Sequence, residues 1–98
     1  MTSIVFDWDA TKAASNVTKH GVIFDEASTV FLDPLSLSIV DANSVGEERW
    51  ITMGEAASGH LVLVVHTWME KDDGGVSVRI ISARRPTRNE AREYREGT

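Results

Sequence analysis

The spacing of apolar residues changes along this chain, and the change limits the folds that it can adopt. Between residues 10 and 32 the apolar side chains recur every three or four positions, as in amphipathic helices. From residue 35 to 81 they alternate with polar side chains or form short continuous runs, as in strands. Ninety-eight residues are enough for one domain, 1–98. A helical part followed by a run of strands predicts an α+β domain.

The elements are predicted in the order β-α-α-β-β-β-β-α. Asp9 is a suitable N-cap for the first helix, and Gly21 is suited to follow its last residue. Thr87 and Glu90 have the spacing of a capping box at the start of the last helix. Short turns between the strands predict an antiparallel sheet packed by helices. The predicted helices are 10–20, 25–32 and 87 onward, and the predicted strands are 4–6, 35–40, 48–53, 60–67 and 76–81.

Charge is distributed unevenly along the chain. The net charge is −5, but residues 79–98 hold six arginines and three glutamates, whereas residues 1–78 hold four basic and twelve acidic side chains. Such asymmetry indicates an anionic partner for the C-terminal segment. The alternative is a solvated helix in which the arginines pair with Glu90 and Glu93.

Several classes of protein are not expected from the composition. The chain has no cysteine, and its histidines at positions 20, 60 and 66 lack metal-ligand spacing, so we expect neither a metal nor another cofactor. The longest apolar run, Leu61–Val65, is far shorter than the ~20 residues that cross a bilayer. The first residues do not resemble a signal peptide. We therefore expect a cytoplasmic protein.

Several short motifs follow one another at defined spacings. The first is F-D-W-D-A-T-K-A-A-S-N-V-T-K-H-G-V-I-F-D-E-A at residues 6–27, and the last is R-I-I-S-A-R at 79–84, before an arginine-rich helix with Tyr94. Between them lie E-E-R at 47–49, Gly54, and His66-Thr67. This ordered set resembles the BrnT family of ribonuclease toxins. The resemblance implies a RelE-like fold, metal-independent RNA cleavage that inhibits growth, and a BrnA-like antitoxin of the ribbon-helix-helix type that bridges two toxins.

RNA cleavage without a metal uses the ribose 2′-OH as the nucleophile, and the protein supplies proton transfer and cations for the phosphate. His20 is the candidate acid or base because imidazole titrates near neutrality. Its alternative role is to cap the carbonyls at a helix end. Arg49, Arg79 and Arg84 are the candidate phosphate ligands. For Arg49 and Arg79 the alternative is a structural ion pair, and for Arg84 it is the docking of a helix.

Three further residues are candidates for substrate binding, each with a structural alternative. Lys19 could contact a phosphate or offset the helix dipole. His66 could act in the site or be a hydrogen-bonded histidine of the core. Tyr94 could stack on a base or pack against the sheet. Trp8 is expected to anchor the first strand in the core rather than to stack on a base.

The chain departs from the family pattern at three places. Asn43, Glu55 and Met69 stand where the family commonly has histidine or basic residues. Fewer cations weaken phosphate binding. A second hypothesis is therefore an inactive relative that binds its antitoxin and co-represses the shared operon.

Overall fold

One mixed sheet organises the fold, and its strands come from both ends of the chain. The computed structural model describes residues 3–97. Its helices are α1 (Ala10–His20), α2 (Phe24–Ser28) and α3 (Arg88–Glu96), with a 3₁₀ helix at Thr29–Leu32. Its strands are β1 (Ile4–Asp7), β2 (Leu37–Val40), β3 (Trp50–Glu55), β4 (Leu61–His66), β5 (Met69–Glu70) and β6 (Val76–Arg84). The α+β class and the predicted order of the longer elements are as expected.

The sheet is not wholly antiparallel, which corrects one prediction. Its order is β1-β6-β4-β3-β2, with the short β5 also paired to β6. The β2–β3, β3–β4 and β4–β6 pairs are antiparallel, but β1 runs parallel to β6. No hairpin joins these two strands, so no turn determines their relative direction. The predicted second helix is also shorter, because its second half is the 3₁₀ helix.

The predicted helix caps are present. The Asp9 side chain accepts a hydrogen bond from the Lys12 N–H at 3.0 Å. Gly21 ends α1 with φ +69°, a left-handed conformation that favours glycine. Thr87 and Glu90 form both hydrogen bonds of the capping box at the start of α3. These ends are therefore specified by residues within one turn of them.

The buried face of α1 is not simply its apolar face. The apolar Val17 is 44% exposed, whereas the polar Asn16 is only 5% exposed. Its Nδ2 donates to the carbonyls of Val22 at 2.9 Å and Ala83 at 2.8 Å, and its Oδ1 accepts from the Ala83 N–H at 3.0 Å. Two of these hydrogen bonds thus hold α1 to β6, and the third fixes the segment that follows α1.

The core lies between one face of the sheet and the layer formed by α1, α2 and the 3₁₀ helix. Trp8 packs on it edge to face with Phe24, with 5.9 Å between ring centroids, so it is placed as the anchor that we predicted. A Cβ on Gly54 would lie 2.9 Å from Val30 Cγ1, so only glycine lets the 3₁₀ helix approach β3 this closely. The buried members are Val22, Phe24, Ala27, Val30, Ala56, Val62, Val64, Val76, Val78, Ile80 and Ala83.

Candidate functional site

A group of cationic side chains collects where α1 passes the outer part of β6. Three shallow clefts there share Lys12, and their volumes are about 310, 170 and 200 Å³. Arg79 lines the first and third, Lys19 and His20 line the second, and Arg49 lines the third. We call these five side chains together the basic cleft.

Local structure explains why these side chains meet. Lys12 and Lys19 are seven residues apart on α1 and therefore lie on the same face of the helix. Arg79 lies between buried Val78 and Ile80 on β6, so strand alternation directs its side chain away from the core. Arg49 immediately precedes β3 and joins the cleft through the loop of residues 41–49.

Acidic side chains moderate the charge of the basic cleft. The closest contact joins Arg79 Nη1 to Glu47 Oε1 at 3.7 Å, with the two side chains 56% and 52% exposed. An ion pair this exposed contributes little to stability, so it leaves the arginine able to exchange Glu47 for a phosphate. Asp7 and Asp9 also line the cleft. Arg79 thus makes an ion pair with Glu47, as its structural alternative supposed, but an exposed one.

Two of the predicted site residues are held elsewhere by intramolecular contacts. The Arg84 guanidinium donates to both carboxylate oxygens of Glu90, at 2.8 and 3.0 Å. The Tyr94 hydroxyl donates to Asp33 Oδ2 at 2.5 Å, and this carboxylate raises the pKa of the Tyr94 phenol to about 12. Both contacts attach α3 to the rest of the fold. The geometry therefore favours the helix-docking alternative for Arg84, and it holds Tyr94 by a hydrogen bond to Asp33 that neither of its two predicted roles included.

His66 occupies the core rather than the basic cleft. It is 2% exposed, its Nε2 lies 2.7 Å from Thr52 Oγ1, and its Nδ1 lies 2.8 Å from the Thr67 carbonyl oxygen. The ring packs edge to face on Phe31, with centroids 4.7 Å apart. Burial lowers the pKa of His66, so the ring is neutral at pH 7. These contacts favour the core interpretation.

The Arg84–Glu90 pair predicts a change of stability with pH. The Arg84 guanidinium, with help from the Thr87 N–H, lowers the pKa of Glu90 to about 2. A carboxyl group whose pKa is lower in the folded state stabilises that state above its unfolded pKa, and the stabilisation is lost as the pH falls from about 4.5 towards 2. We expect about 1 kcal/mol from this half-exposed pair. Urea unfolding of wild type and Glu90→Gln between pH 7 and 2.5 measures it.

The glutamine variant keeps the capping box, because glutamine also serves at that position. Its stability should therefore fall short of wild type at pH 7 and approach it near pH 2.5. A deficit that is the same at both pH values would show that the charge of Glu90 contributes nothing.

Lys12 was not among the predicted site residues. It belongs to the first motif and lines all three clefts, whereas Arg84, a predicted phosphate ligand, lines none of them. The seven-residue spacing to Lys19 on a predicted helix was the available signal. Of the three departures, Asn43 lies on the loop that borders the cleft, whereas Glu55 ends β3 and Met69 begins β5.

A serine, a histidine and a glutamate also meet at the turn between β3 and β4. The Ser58 hydroxyl donates to Glu26, and His60 Nδ1 lies 3.4 Å from Ser58 Oγ and 3.6 Å from the Glu26 carboxylate. In a serine hydrolase the serine hydroxyl donates its hydrogen bond to the histidine, but here the Ser58 hydroxyl donates to the glutamate. These contacts stabilise the turn and do not form a nucleophile.

Residues 3–97 hold neither a candidate metal site nor a membrane-spanning helix. In this range no three His, Cys, Asp or Glu side chains lie together in a way that could hold a metal ion. The helices in the same range are too short and too polar to cross a membrane.

The chain was compared with known proteins. The family model described as "Ribonuclease toxin, BrnT, of type II toxin-antitoxin system" matches residues 8–90. The crystal structure of the Brucella abortus ribonuclease toxin, BrnT, is similar to this fold with a TM-score of 0.56 and 19% sequence identity, over 89% of this chain and 100% of that one. A comparison with curated protein sequences gave no match.

Proposed function

This chain belongs to the BrnT family of ribonuclease toxins of type II toxin–antitoxin systems, and we propose that it cleaves RNA at the basic cleft without a metal ion. One observation supports this location above the others. Lys12, Arg49 and Arg79 come from three separate parts of the sequence and line one surface, where His20 also lies. Such a grouping of cations, with an imidazole in the adjoining cleft, suits the scission of a phosphodiester.

In the proposed reaction the ribose 2′-oxygen attacks the adjacent phosphorus. The 2′-O–P bond forms, the P–O5′ bond breaks, and the products are a 2′,3′-cyclic phosphate and a 5′-hydroxyl. Arg79, Arg49 and Lys12 would neutralise the charge that develops on the non-bridging oxygens. His20 would exchange a proton with one of the two ribose oxygens and solvent water with the other, so that the proton lost by the 2′-hydroxyl is balanced by one gained by O5′. Lys19 would bind a neighbouring phosphate.

The family also implies an antitoxin partner. We propose that this antitoxin is a BrnA-like DNA-binding protein of the ribbon-helix-helix type, that it bridges two copies of the chain, and that free toxin arrests growth in the cytoplasm. The alternative function is an inactive toxin that serves as a co-repressor with its antitoxin. The carboxylates of Asp7, Asp9 and Glu47 in the cleft favour it, because they compete with phosphate for the cations.

The test is to incubate the purified chain with a long single-stranded RNA, with and without excess EDTA. We expect cleavage in both conditions, with cyclic phosphate ends, and growth arrest when the chain is expressed alone. Cleavage that EDTA abolishes would overturn metal independence. Intact RNA together with normal growth, from a folded chain, would support the co-repressor instead.

A further inference from the structure

The outer edge of β2 is open, and its neighbourhood is apolar. β2 ends the strand order, and β3 is its only neighbour there within residues 3–97. Edge strands are usually protected by charged side chains, proline or a bulge. The segment L-S-I-V of β2 has neither charge nor proline. Ile39 and Val40 are 63% and 46% exposed, and Leu35, just before β2, is exposed as well.

The register of the sheet shows which backbone groups are free at this edge. The Asp41 N–H donates to the Arg49 carbonyl at 2.8 Å, so Asp41 directs its backbone groups towards the chain of β3. In antiparallel strands this direction alternates from residue to residue. Ser38 and Val40 therefore direct their N–H and C=O groups outward, where an added strand could pair with them.

A pocket opens beside the same edge, on the face of the sheet that carries the 3₁₀ helix. Its volume is about 290 Å³, and Trp50 and Trp68 form part of its wall. Ser36 and Ser38 line its side nearest the edge, and Phe31 also contributes to it. The volume is at the small end for ligand pockets and suits one side chain rather than a larger molecule.

The floor of this pocket is polar but uncharged. Because His66 Nδ1 lies 2.8 Å from the Thr67 carbonyl, that nitrogen must carry the proton, and Nε2 accepts from the Thr52 hydroxyl. Thr52 Oγ1 then accepts from the Ser38 hydroxyl, 2.8 Å away. The chain of hydrogen bonds is satisfied internally, and Ser38 Oγ keeps acceptor capacity at the rim. No lysine or arginine is among the residues that line this pocket.

We propose that an extended segment of a partner polypeptide adds to β2 as a further strand and places an uncharged aromatic or aliphatic side chain in the Trp50–Trp68 pocket. Backbone pairing supplies affinity in this mode of binding, and pockets for alternate side chains supply specificity. The inference does not depend on the ribonuclease chemistry, which we place at the basic cleft. The antitoxin that the family implies is the natural source of such a segment.

The carboxylates on either side of β2 indicate which residues should flank the segment of the partner that pairs with it. Asp41 follows β2 directly, and Asp33 lies four residues before the first residue of β2. Burial opposes the ionisation of Asp33, but hydrogen bonds from Glu55, Tyr94 and Leu35 together lower its pKa, so it is negative at pH 7. The partner strand should therefore carry a basic residue at each end. RNA is disfavoured here because its phosphates would face these carboxylates with no cation in the pocket.

A second copy of the chain is also disfavoured as the added strand, because it would bring carboxylates together. Antiparallel pairing of two β2 strands about a two-fold axis at Ser38 places each Asp41 within two residues of the other copy's Asp33. Like charges then meet at both ends of the short pair, which opposes association.

The test uses a blocked synthetic peptide, Lys-Val-Thr-Phe-Thr-Val-Lys, added to the whole chain, and the same peptide with glutamate at both ends. We expect saturable binding by tryptophan fluorescence, slower hydrogen exchange at the Ser38 and Val40 amides, and binding at least about tenfold tighter for the lysine peptide. Trp68→Ala should weaken binding about tenfold, whereas Val17→Ala on α1 should not change it.

Val40→Pro provides the sharpest variant. It removes only an outward N–H, which an edge strand tolerates, so the melting temperature and RNA cleavage should stay near wild type while peptide binding falls about tenfold. The proposal is overturned if neither peptide binds at millimolar concentration or if the glutamate peptide binds equally well. It is also overturned if an oligouridylate, or a higher concentration of the chain alone, protects the two amides.

Discussion

Replacing Asn16 by aspartate is expected to lower the free energy of unfolding by about 3 kcal/mol or more. The Asn16 side chain donates to two buried carbonyl oxygens, of Val22 and Ala83, and accepts one N–H. An ionised aspartate has no donor, so two carbonyls lose their partners and face a negative charge in the core. A small domain has only about 5–15 kcal/mol of stability in all, so the loss is a large part of it.

Urea unfolding at pH 7 and pH 4 measures this effect. The loss in free energy of unfolding of Asn16→Asp should be smaller at pH 4. Burial raises the pKa of the introduced carboxyl group, and once protonated that group recovers one hydrogen-bond donor. Asn43→Asp, on the exposed loop, makes the same chemical change without burial and should cost less than about 0.5 kcal/mol. Equal losses in the two variants would contradict the anchoring role of Asn16.

Replacing Arg79 or Lys12 by alanine is expected to lower kcat/KM for RNA cleavage by about 10²–10³-fold in each case. Both side chains are exposed and line the largest part of the basic cleft, so their removal takes away positive charge and leaves the core untouched. Rates of cleavage of a fluorescent oligoribonucleotide measure the effect, and urea unfolding confirms that each variant folds.

Arg85→Ala is the matched control, because Arg85 is an exposed arginine of the same C-terminal segment and is not among the residues that line the three clefts. Its rate should stay within about twofold of wild type. If Arg85→Ala lowers the rate as much as Arg79→Ala does, the cations act through general attraction, and the assignment of the basic cleft is wrong.

The charge distribution shows how far the sequence could locate the site. The arginine-rich segment of residues 79–98 was the predicted anion-binding region, yet Arg79 is its only arginine among the five side chains of the basic cleft. Arg84 is paired with Glu90. The other cations, Lys12, Lys19 and Arg49, belong to the part of the chain with net negative charge. Counting charge along a sequence cannot reveal such a cluster, because the fold brings separate segments together.

Features that depend on neighbouring residues were determined by the sequence itself. The caps at Asp9, Gly21 and Thr87, the periodicity of the helices and strands, and the motifs of the BrnT family all lie within short stretches of chain. Backbone geometry and side-chain spacing act over a few residues, so these features were correctly predicted.

Features that join distant segments were decided only by the tertiary structure. The Asn16 amide bonds to Ala83, 67 positions away, and Tyr94 bonds to Asp33, 61 positions away. The parallel pairing of β1 with β6, the meeting of Lys12 with Arg79 and the pocket beside β2 have the same origin. Such contacts form when the whole core is buried, because which surfaces become neighbours depends on the packing of all the elements and not on any one segment.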